Sequence, residues 1–123
     1  MAAVWEIFDG PWRWGWSDCA ACACRVFERL TGVNPMRGLR YSTEAGAARL
    51  VRRMGGWERM GARLAARSGL VPCGDVPGAL GLVRPDLGAG LAIYTGDCWA
   101  KRIEGGIRFL PPHQMGARWC LKP

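Results

Sequence analysis

The sequence predicts an α+β fold in which N-terminal helices, one of them bearing a cysteine at its start, pack on a C-terminal antiparallel meander of about five strands. In the first half of the chain, apolar residues recur at steps of three and four, as in amphipathic helices. From Val71 onwards, Pro and Gly separate short apolar runs, which is typical of strands joined by tight turns. Helices followed by such a series of strands favour an α+β architecture.

Composition predicts a single domain spanning residues 1–123. Half of the residues are apolar and seven are Trp, so the chain can bury a core without help from metals or disulfides. No apolar run is long enough to cross a bilayer, and the first residues contain Glu6 and Asp9 and no basic region. We therefore expect synthesis in the cytosol without a signal peptide, and no membrane span.

The best-defined predicted helix begins at Cys19. Ser17 or Asp18 can accept hydrogen bonds from its first free N–H groups, and Gly32 suits the left-handed residue that ends a helix. Its apolar stripe consists of Cys19, Cys22, Ala23, Val26, Phe27 and Leu30. The residues before it, Met1 to Gly10, form an apolar lead-in, of which we expect Val4, Trp5, Ile7 and Phe8 to pack against the body.

The position of Cys19 in the first helical turn suggests a nucleophile. Free N–H groups and the helix dipole favour an anion there, so we expect this thiol to ionise more readily than a free cysteine. Cysteine hydrolases present their nucleophile in this way.

Two more helices and five strands follow in order. A helix from about Glu44 to Met54 is capped by Ser42 or Thr43, and another runs from about Trp57 to Arg67. Gly-containing turns at residues 95–97 and 104–106 separate the later strands. The predicted strands are Ala79–Val83, Leu91–Tyr94, Trp99–Ile103, Ile107–Leu110 and Arg118–Leu121.

The six cysteines are best interpreted as mostly small buried hydrophobic residues. A disulfide framework is disfavoured, because the cytosol keeps thiols reduced. Cys19 and Cys22 share a helix face, but Cys24 lies about 140° away at 100° per residue, and no second CxxC pair is present. We therefore expect no metal site and no cofactor.

The net charge of +7, carried mainly by fifteen arginines, makes an acidic partner plausible. Aromatic residues beside Arg13 could stack nucleic-acid bases, namely Trp12, Trp14 and Trp16. However, the arginines are spread along the chain, and three of them, Arg59, Arg63 and Arg67, recur as on the solvated face of a helix. Nucleic acid is therefore not the expected main partner.

One stretch resembles a known family. A Gly shortly before an Asp-Cys pair that opens an amphipathic helix is similar to the start of the NlpC-type cell-wall peptidases, a compact branch of the papain-like cysteine peptidases. Trp14, Gly15, Asp18 and Cys19 carry this likeness. It spans most of the chain and is thin between Pro35 and Pro72. Residues 74–76 and 91–96 resemble the family's turn and second strand. Residues 36–43 resemble its small phage-borne relatives, to which the chain is most similar.

The chain departs from that family at the catalytic histidine. The resemblance implies a His at the start of the second strand, four residues before Tyr94, but the chain has Gly90 there. The following strand offers only Lys101 and Arg102, and the only histidine is His113, in a Pro-rich loop. Expelling an amine requires a proton donor within hydrogen-bond reach. Cys19 is therefore the candidate nucleophile, and His113 is the only imidazole that could serve it.

Two functions follow from the resemblance. The favoured one is a non-catalytic or degenerate NlpC-like domain that acts as a structural or binding component of a phage tail tip, at the baseplate or hub, or of a related particle, with other tail or particle proteins as partners. The alternative is an active cysteine hydrolase that cleaves peptidoglycan peptides during phage entry. Both functions place four residues at a partner or substrate cleft: Trp12, Trp14, Trp16 and Asp18. The alternative for the three Trp residues is the core, because aromatic residues before a helix commonly pack against it.

Overall fold

A computed structural model describes residues 1–123 and confirms an α+β fold. Four α-helices precede and cover one six-stranded antiparallel sheet. Two short 3-10 helices lie at Pro85–Leu87 and Pro112–Gln114. The helices and strands are α1 (Ala2–Phe8), α2 (Cys19–Thr31), α3 (Glu44–Arg53), α4 (Trp57–Arg67), β1 (Leu70–Pro72), β2 (Leu80–Val83), β3 (Leu91–Tyr94), β4 (Trp99–Ile103), β5 (Gly106–Leu110) and β6 (Met115–Leu121).

Helix α2 begins and ends as the capping residues predict. Asp18, rather than Ser17, is the N-cap, and its Oδ1 accepts a hydrogen bond from the Ala21 N–H at 3.0 Å. Gly32 has a φ of 82° and donates its N–H to the Glu28 carbonyl, which closes the last turn. Thr43 caps α3 in the same way as Asp18 caps α2, through the Gly46 N–H.

The N-terminal lead-in is a helix, α1, which sequence patterning did not predict. Val4, Ile7 and Phe8 are buried against α2 and the sheet, as expected. Trp5 was expected to be buried and is instead 51% exposed, with its ring beside that of Phe109. A helix of seven residues has too few turns for a helical period to be recognised in its apolar residues.

The sheet is not a simple meander of five strands. Strands β2 to β5 follow one another as predicted, but β6 returns to pair with β2 on the other side, giving the order β1-β6-β2-β3-β4-β5. The additional strand, β1, has only three residues and ends in Pro72, so its sequence carries little strand signal. It forms because β6 offers a free edge, with Pro72 opposite Trp119.

The pairing of β1 with β6 also corrects the expectation that disulfides would be absent. The Cys73 N–H donates to the Arg118 carbonyl, and Val71 lies opposite Cys120. This register brings the Cα atoms of Cys73 and Cys120 to 5.9 Å, and a disulfide joins them. The other four cysteines are free, and Cys22 and Cys24 are buried as small hydrophobic residues.

The main core lies between the helices and one face of the sheet, and a smaller apolar group covers the opposite face. Helix α2 packs on β3 and β4, whereas α4 lies over β1, β2 and β6. Trp99 is fully buried on the opposite face, and its indole N–H donates to Asp75 at 2.8 Å. The packing of α2 brings its first residue to the beginning of β3. None of the helices is long and apolar enough to cross a membrane.

Candidate functional site

The thiol of Cys19 faces the start of β3, at the position where the family resemblance implied a histidine. A Cβ added to Gly90 would lie 3.0 Å from the Cys19 Sγ. The backbone N–H groups of Leu91 and Ala20 lie close enough to the sulfur to favour its anionic form. Gly90 therefore borders the thiol directly and provides no side chain that could accept or donate a proton.

Lys101 occupies the space beside Gly90. The same hypothetical Cβ would lie 2.9 Å from the Lys101 Cε and 3.4 Å from its Nζ. This side chain projects from β4, and its Nζ donates a hydrogen bond to the Gly88 carbonyl at 2.9 Å. An amine on the neighbouring strand is thus the titratable group next to the candidate nucleophile. The sequence indicated that Lys101 lies on this strand but could not show that its side chain reaches the thiol.

The environment of the thiol opposes ionisation, contrary to the sequence-based expectation. Burial raises the pKa of Cys19, and the favourable charge of Lys101 does not outweigh it. The Asp18 carboxylate also raises the pKa of Cys19. As the N-cap residue, Asp18 places a negative charge at the helix end that holds the thiol. Burial likewise lowers the pKa of Lys101. Both partners are therefore shifted towards their neutral forms.

Asp18 holds the start of α2 in place. Its carboxylate is 2% exposed and accepts hydrogen bonds from the Gly15 N–H at 2.6 Å, the Ala21 N–H at 3.0 Å and the Tyr41 hydroxyl at 2.8 Å. Burial and the Asp18 charge raise the pKa of Tyr41, which keeps that hydroxyl a donor. With these donors in place, Asp18 orients the loop and the helix, although it also contributes to the wall of the neighbouring cavity.

The three tryptophans of the loop point in different directions. Trp14 lines the same cavity as Cys19. Trp12 contacts Trp14 edge-on but lines a separate depression together with Arg102, which is 4% exposed and donates to the Gly10 carbonyl. Trp16 is 54% exposed and lies 3.8 Å under the guanidinium of Arg25. Of the three, Trp14 alone lines the cavity that Cys19 borders.

The cavity beside Cys19 has a volume of about 320 Å³ and mostly apolar walls. Residues of helix α3 and the start of α4 line this cavity together with Cys19. Glu44 and Arg52 are the charged residues of α3 that border it. Val51 and Trp57 belong to helices that the sequence predicts, but no sequence pattern places them next to Cys19. The principal apolar and aromatic lining residues are Trp14, Tyr41, Leu50, Val51, Trp57 and Met60.

His113 lies away from this arrangement. It is exposed in the 3-10 turn between β5 and β6, and it does not line the cavity that contains Cys19. The side chains whose charges act on the thiol are Lys101 and Asp18. The structure thus brings together Cys19, Asp18, Trp14 and Lys101. No group of three or more His, Cys, Asp or Glu side chains is placed to hold a metal ion.

The fold and the site together define an α+β domain with a cysteine at the N-terminus of a sheet-packed helix, a lysine near its thiol and an apolar cavity that the cysteine lines. Residues 1–121 match the family described as "Domain of unknown function (DUF6950)", and the chain therefore belongs to that family. No curated protein and no solved structure shows significant similarity to the chain.

Proposed function

We propose that this protein is a non-catalytic, NlpC-like domain of papain-like fold that serves as a structural or binding component of a phage tail tip or a related particle. The observation that carries the proposal is the contact between Gly90 and the Cys19 thiol. A peptidase of this type requires an imidazole beside its thiol, and the chain's only histidine is exposed on another turn.

The chemistry of amide cleavage supports a binding role. An amine leaves a tetrahedral intermediate only when it is protonated, so a cysteine peptidase needs a group that carries a proton after the first step. The pKa of Cys19 is raised by burial, which leaves little thiolate at neutral pH. The missing imidazole and this raised pKa act together against peptide hydrolysis.

Exposed aromatic residues provide a surface for docking on other tail proteins. Trp5 of α1 and Phe109 of β5 are 51% and 50% exposed, with ring centroids 5.9 Å apart. They lie at an edge of the sheet, because β5 is its last strand. Aromatic residues and Arg dominate binding hot spots, and an edge strand also offers free backbone hydrogen-bonding groups. Trp16 stacked on Arg25 is a second exposed pair of this kind.

The proposal is tested by incubating purified peptidoglycan with the wild-type protein, Cys19→Ala and His113→Ala, and measuring released peptide fragments by mass spectrometry. We expect no release from any of the three. A parallel assay asks whether the Cys19→Ala and Trp5→Ala/Phe109→Ala proteins are incorporated into particles. Normal incorporation of the first and loss of the second is the expected result. Fragment release that disappears in Cys19→Ala would contradict the proposal.

A second candidate function is favoured by the cavity. An active cysteine hydrolase that cleaves peptidoglycan peptides, with Cys19 as nucleophile, would require a cleft that leads to the thiol, and the cavity of about 320 Å³ opens beside it. The same release assay distinguishes this candidate from the first. Under this alternative, Cys19→Ala abolishes fragment release, and comparison of His113→Ala with Lys101→Met identifies the base.

A further inference from the structure

We infer that Cys19 and Lys101 form a nucleophilic pair that accepts an acyl group from activated esters or thioesters, with the acyl chain held in the apolar cavity beside the thiol. This reactivity goes beyond the proposed binding role and does not depend on it. It requires neither a histidine nor the cleavage of an amide.

The geometry brings the two reactive atoms close to one common point beside Gly90. The Cys19 Sγ and the Lys101 Nζ both lie within 3.4 Å of the point that a Cβ on Gly90 would occupy. The absence of a side chain at Gly90 leaves this space open to both groups. The amine is half-buried and donates to the Gly88 carbonyl, which holds the end of a long side chain at the site.

The amine provides the proton acceptor that the thiol lacks. Burial lowers the pKa of Lys101, so its neutral amine is more accessible than that of a solvated lysine. In the reaction, Lys101 Nζ takes the proton of the Cys19 thiol while Sγ attacks the acyl carbonyl carbon. The tetrahedral intermediate collapses, the bond to the leaving oxygen or sulfur breaks, and the leaving group departs as a phenolate or thiolate. The products are S-acyl-Cys19 and the Lys101 ammonium, which loses its proton to water.

The class of substrate follows from the leaving group and the cavity. A phenolate or thiolate leaves without prior protonation, whereas an amine does not. The walls of the cavity that Cys19 lines are mostly apolar and include Trp14, Leu50 and Val51. Such walls bind an aliphatic chain by removing apolar surface from water. An acyl group with a short aliphatic chain therefore fits both the chemistry and the space.

The experiment uses p-nitrophenyl butyrate and the full chain. Release of p-nitrophenolate is followed with time, and the acylated residue is identified by peptide mass mapping. Cys98 is also free and half-buried, so it serves as a reference thiol within the same molecule. We expect one equivalent of rapid release and acylation of Cys19 at least tenfold faster than that of Cys98. Absence of acylation, or equal rates at the two thiols, would overturn the inference.

Two substitutions of Lys101 separate proton acceptance from charge. Lys101→Met and Lys101→Arg should both slow acylation of Cys19 about tenfold or more relative to Cys98, since a guanidinium supplies charge but does not accept a proton. An unchanged Cys19 rate in either variant would refute the role of the amine. Because the acylation rate of Cys19 is expressed relative to that of Cys98, general damage to the fold would alter the Cys98 rate as well. Thermal unfolding of each variant checks directly that the fold is intact.

Filling the cavity tests where the acyl chain lies. Val51→Trp should slow acylation by p-nitrophenyl butyrate at least fivefold more than acylation by p-nitrophenyl acetate, because only the longer chain extends from the thiol towards helix α3. Equal effects on the two esters would overturn the assignment of the cavity. The peptidoglycan assay is independent of these readouts, so a failure of the binding proposal and a failure of this inference are distinguishable.

Discussion

Gly90 determines what the thiol site can do, because its backbone conformation, and not only its missing side chain, excludes a histidine. Its φ of +107° lies in a region that residues with a Cβ rarely adopt. A side chain there would also meet the thiol and the Lys101 stem at 3.0 and 2.9 Å. A histidine at this position would therefore require a change of backbone conformation as well as of side chain.

Introducing a histidine by Gly90→His is accordingly expected to produce no peptidase activity and to destabilise the protein. Backbone strain alone costs about 1–3 kcal/mol, and the contacts with Cys19 and Lys101 add to it. Gly105→His is the matched control, because Gly105 also has a positive φ but open space around its Cβ position. Urea unfolding should show a larger loss for Gly90→His than for Gly105→His. Equal losses, or peptide release by Gly90→His, would contradict this prediction.

A second residue-scale prediction concerns Cys22, whose thiol is fully buried and points towards the Ile7 carbonyl. Burial raises its pKa from 9.0 to about 11. The unfolded chain therefore loses this proton at lower pH than the folded protein. The contribution of the protonated Cys22 thiol to the free energy of unfolding is fully present below pH 9.0. It falls as the pH rises towards 11 and is absent above that pH. The contribution is about 2–3 kcal/mol, from the difference between these two pKa values.

The measurement is the free energy of unfolding in urea between pH 8 and 11, under anaerobic conditions. Cys22→Ala should be less stable than the wild type at pH 8, but its stability should decline less steeply with pH. Cys98→Ala removes a free thiol outside α2 and serves as the control for the dependence of the unfolding free energy on pH. Parallel curves for Cys22→Ala and the wild type would show that this thiol does not titrate as described.

At the scale of structural elements, strand β4 contains a buried tryptophan whose only polar group, the indole N–H, is paired with a residue in a loop. Trp99, the first residue of β4, donates its indole N–H to Asp75 Oδ1 at 2.8 Å, and Arg118 of β6 donates to the same oxygen at 2.9 Å. Asp75 thus connects two strands that are not neighbours in the sheet.

Asp75→Ala should lower the free energy of unfolding by about 1–3 kcal/mol, because the buried Trp99 N–H loses its acceptor. Asp75→Asn retains an acceptor oxygen and should cost less. The comparison variant is Asp86→Ala, which removes an exposed ion pair with Arg84 and should change stability by less than about 0.5 kcal/mol. Thermal or urea unfolding of the three variants measures the difference. A loss for Asp86→Ala as large as that for Asp75→Ala would refute the role given to the buried indole.

For the whole molecule, the disulfide between Cys73 and Cys120 ties the edge strand β1 to β6 and closes a sequence separation of 47 residues. Closing a loop of this length stabilises a folded chain by roughly 2–4 kcal/mol through the unfolded state. We expect unfolding in urea to shift to lower concentration when dithiothreitol is added, whereas the Cys120→Ala protein should be insensitive to it.

Alkylation checks the same bond directly. Treatment of the unfolded, unreduced protein with iodoacetamide should label four cysteines, and prior reduction should increase this number to six. Labelling of all six without reduction would show that the bond is absent in the purified protein.

Local patterns determined the secondary structure well where periodicity and capping agreed. Helix α4 and strands β3 and β4 have the predicted bounds, and α2 begins at Cys19 with Asp18 as its cap. The patterns failed for α1 and β1, which are short and owe their structure to neighbours that are distant in the chain. The return of β6 to the edge of β2 likewise has no local signal, because strand pairing is a long-range choice.

By itself, the sequence determined the α+β class, the placement of Cys19 in the first turn of a helix and the absence of a histidine at residue 90, because each depends on local patterns or on residue identity. The tertiary structure alone decided the direction of the Cys19 pKa shift, the position of Lys101 beside the thiol, the separation of the three tryptophans and the pairing of Cys73 with Cys120. Burial and the distances between residues far apart in the chain arise only when the helices pack on the sheet.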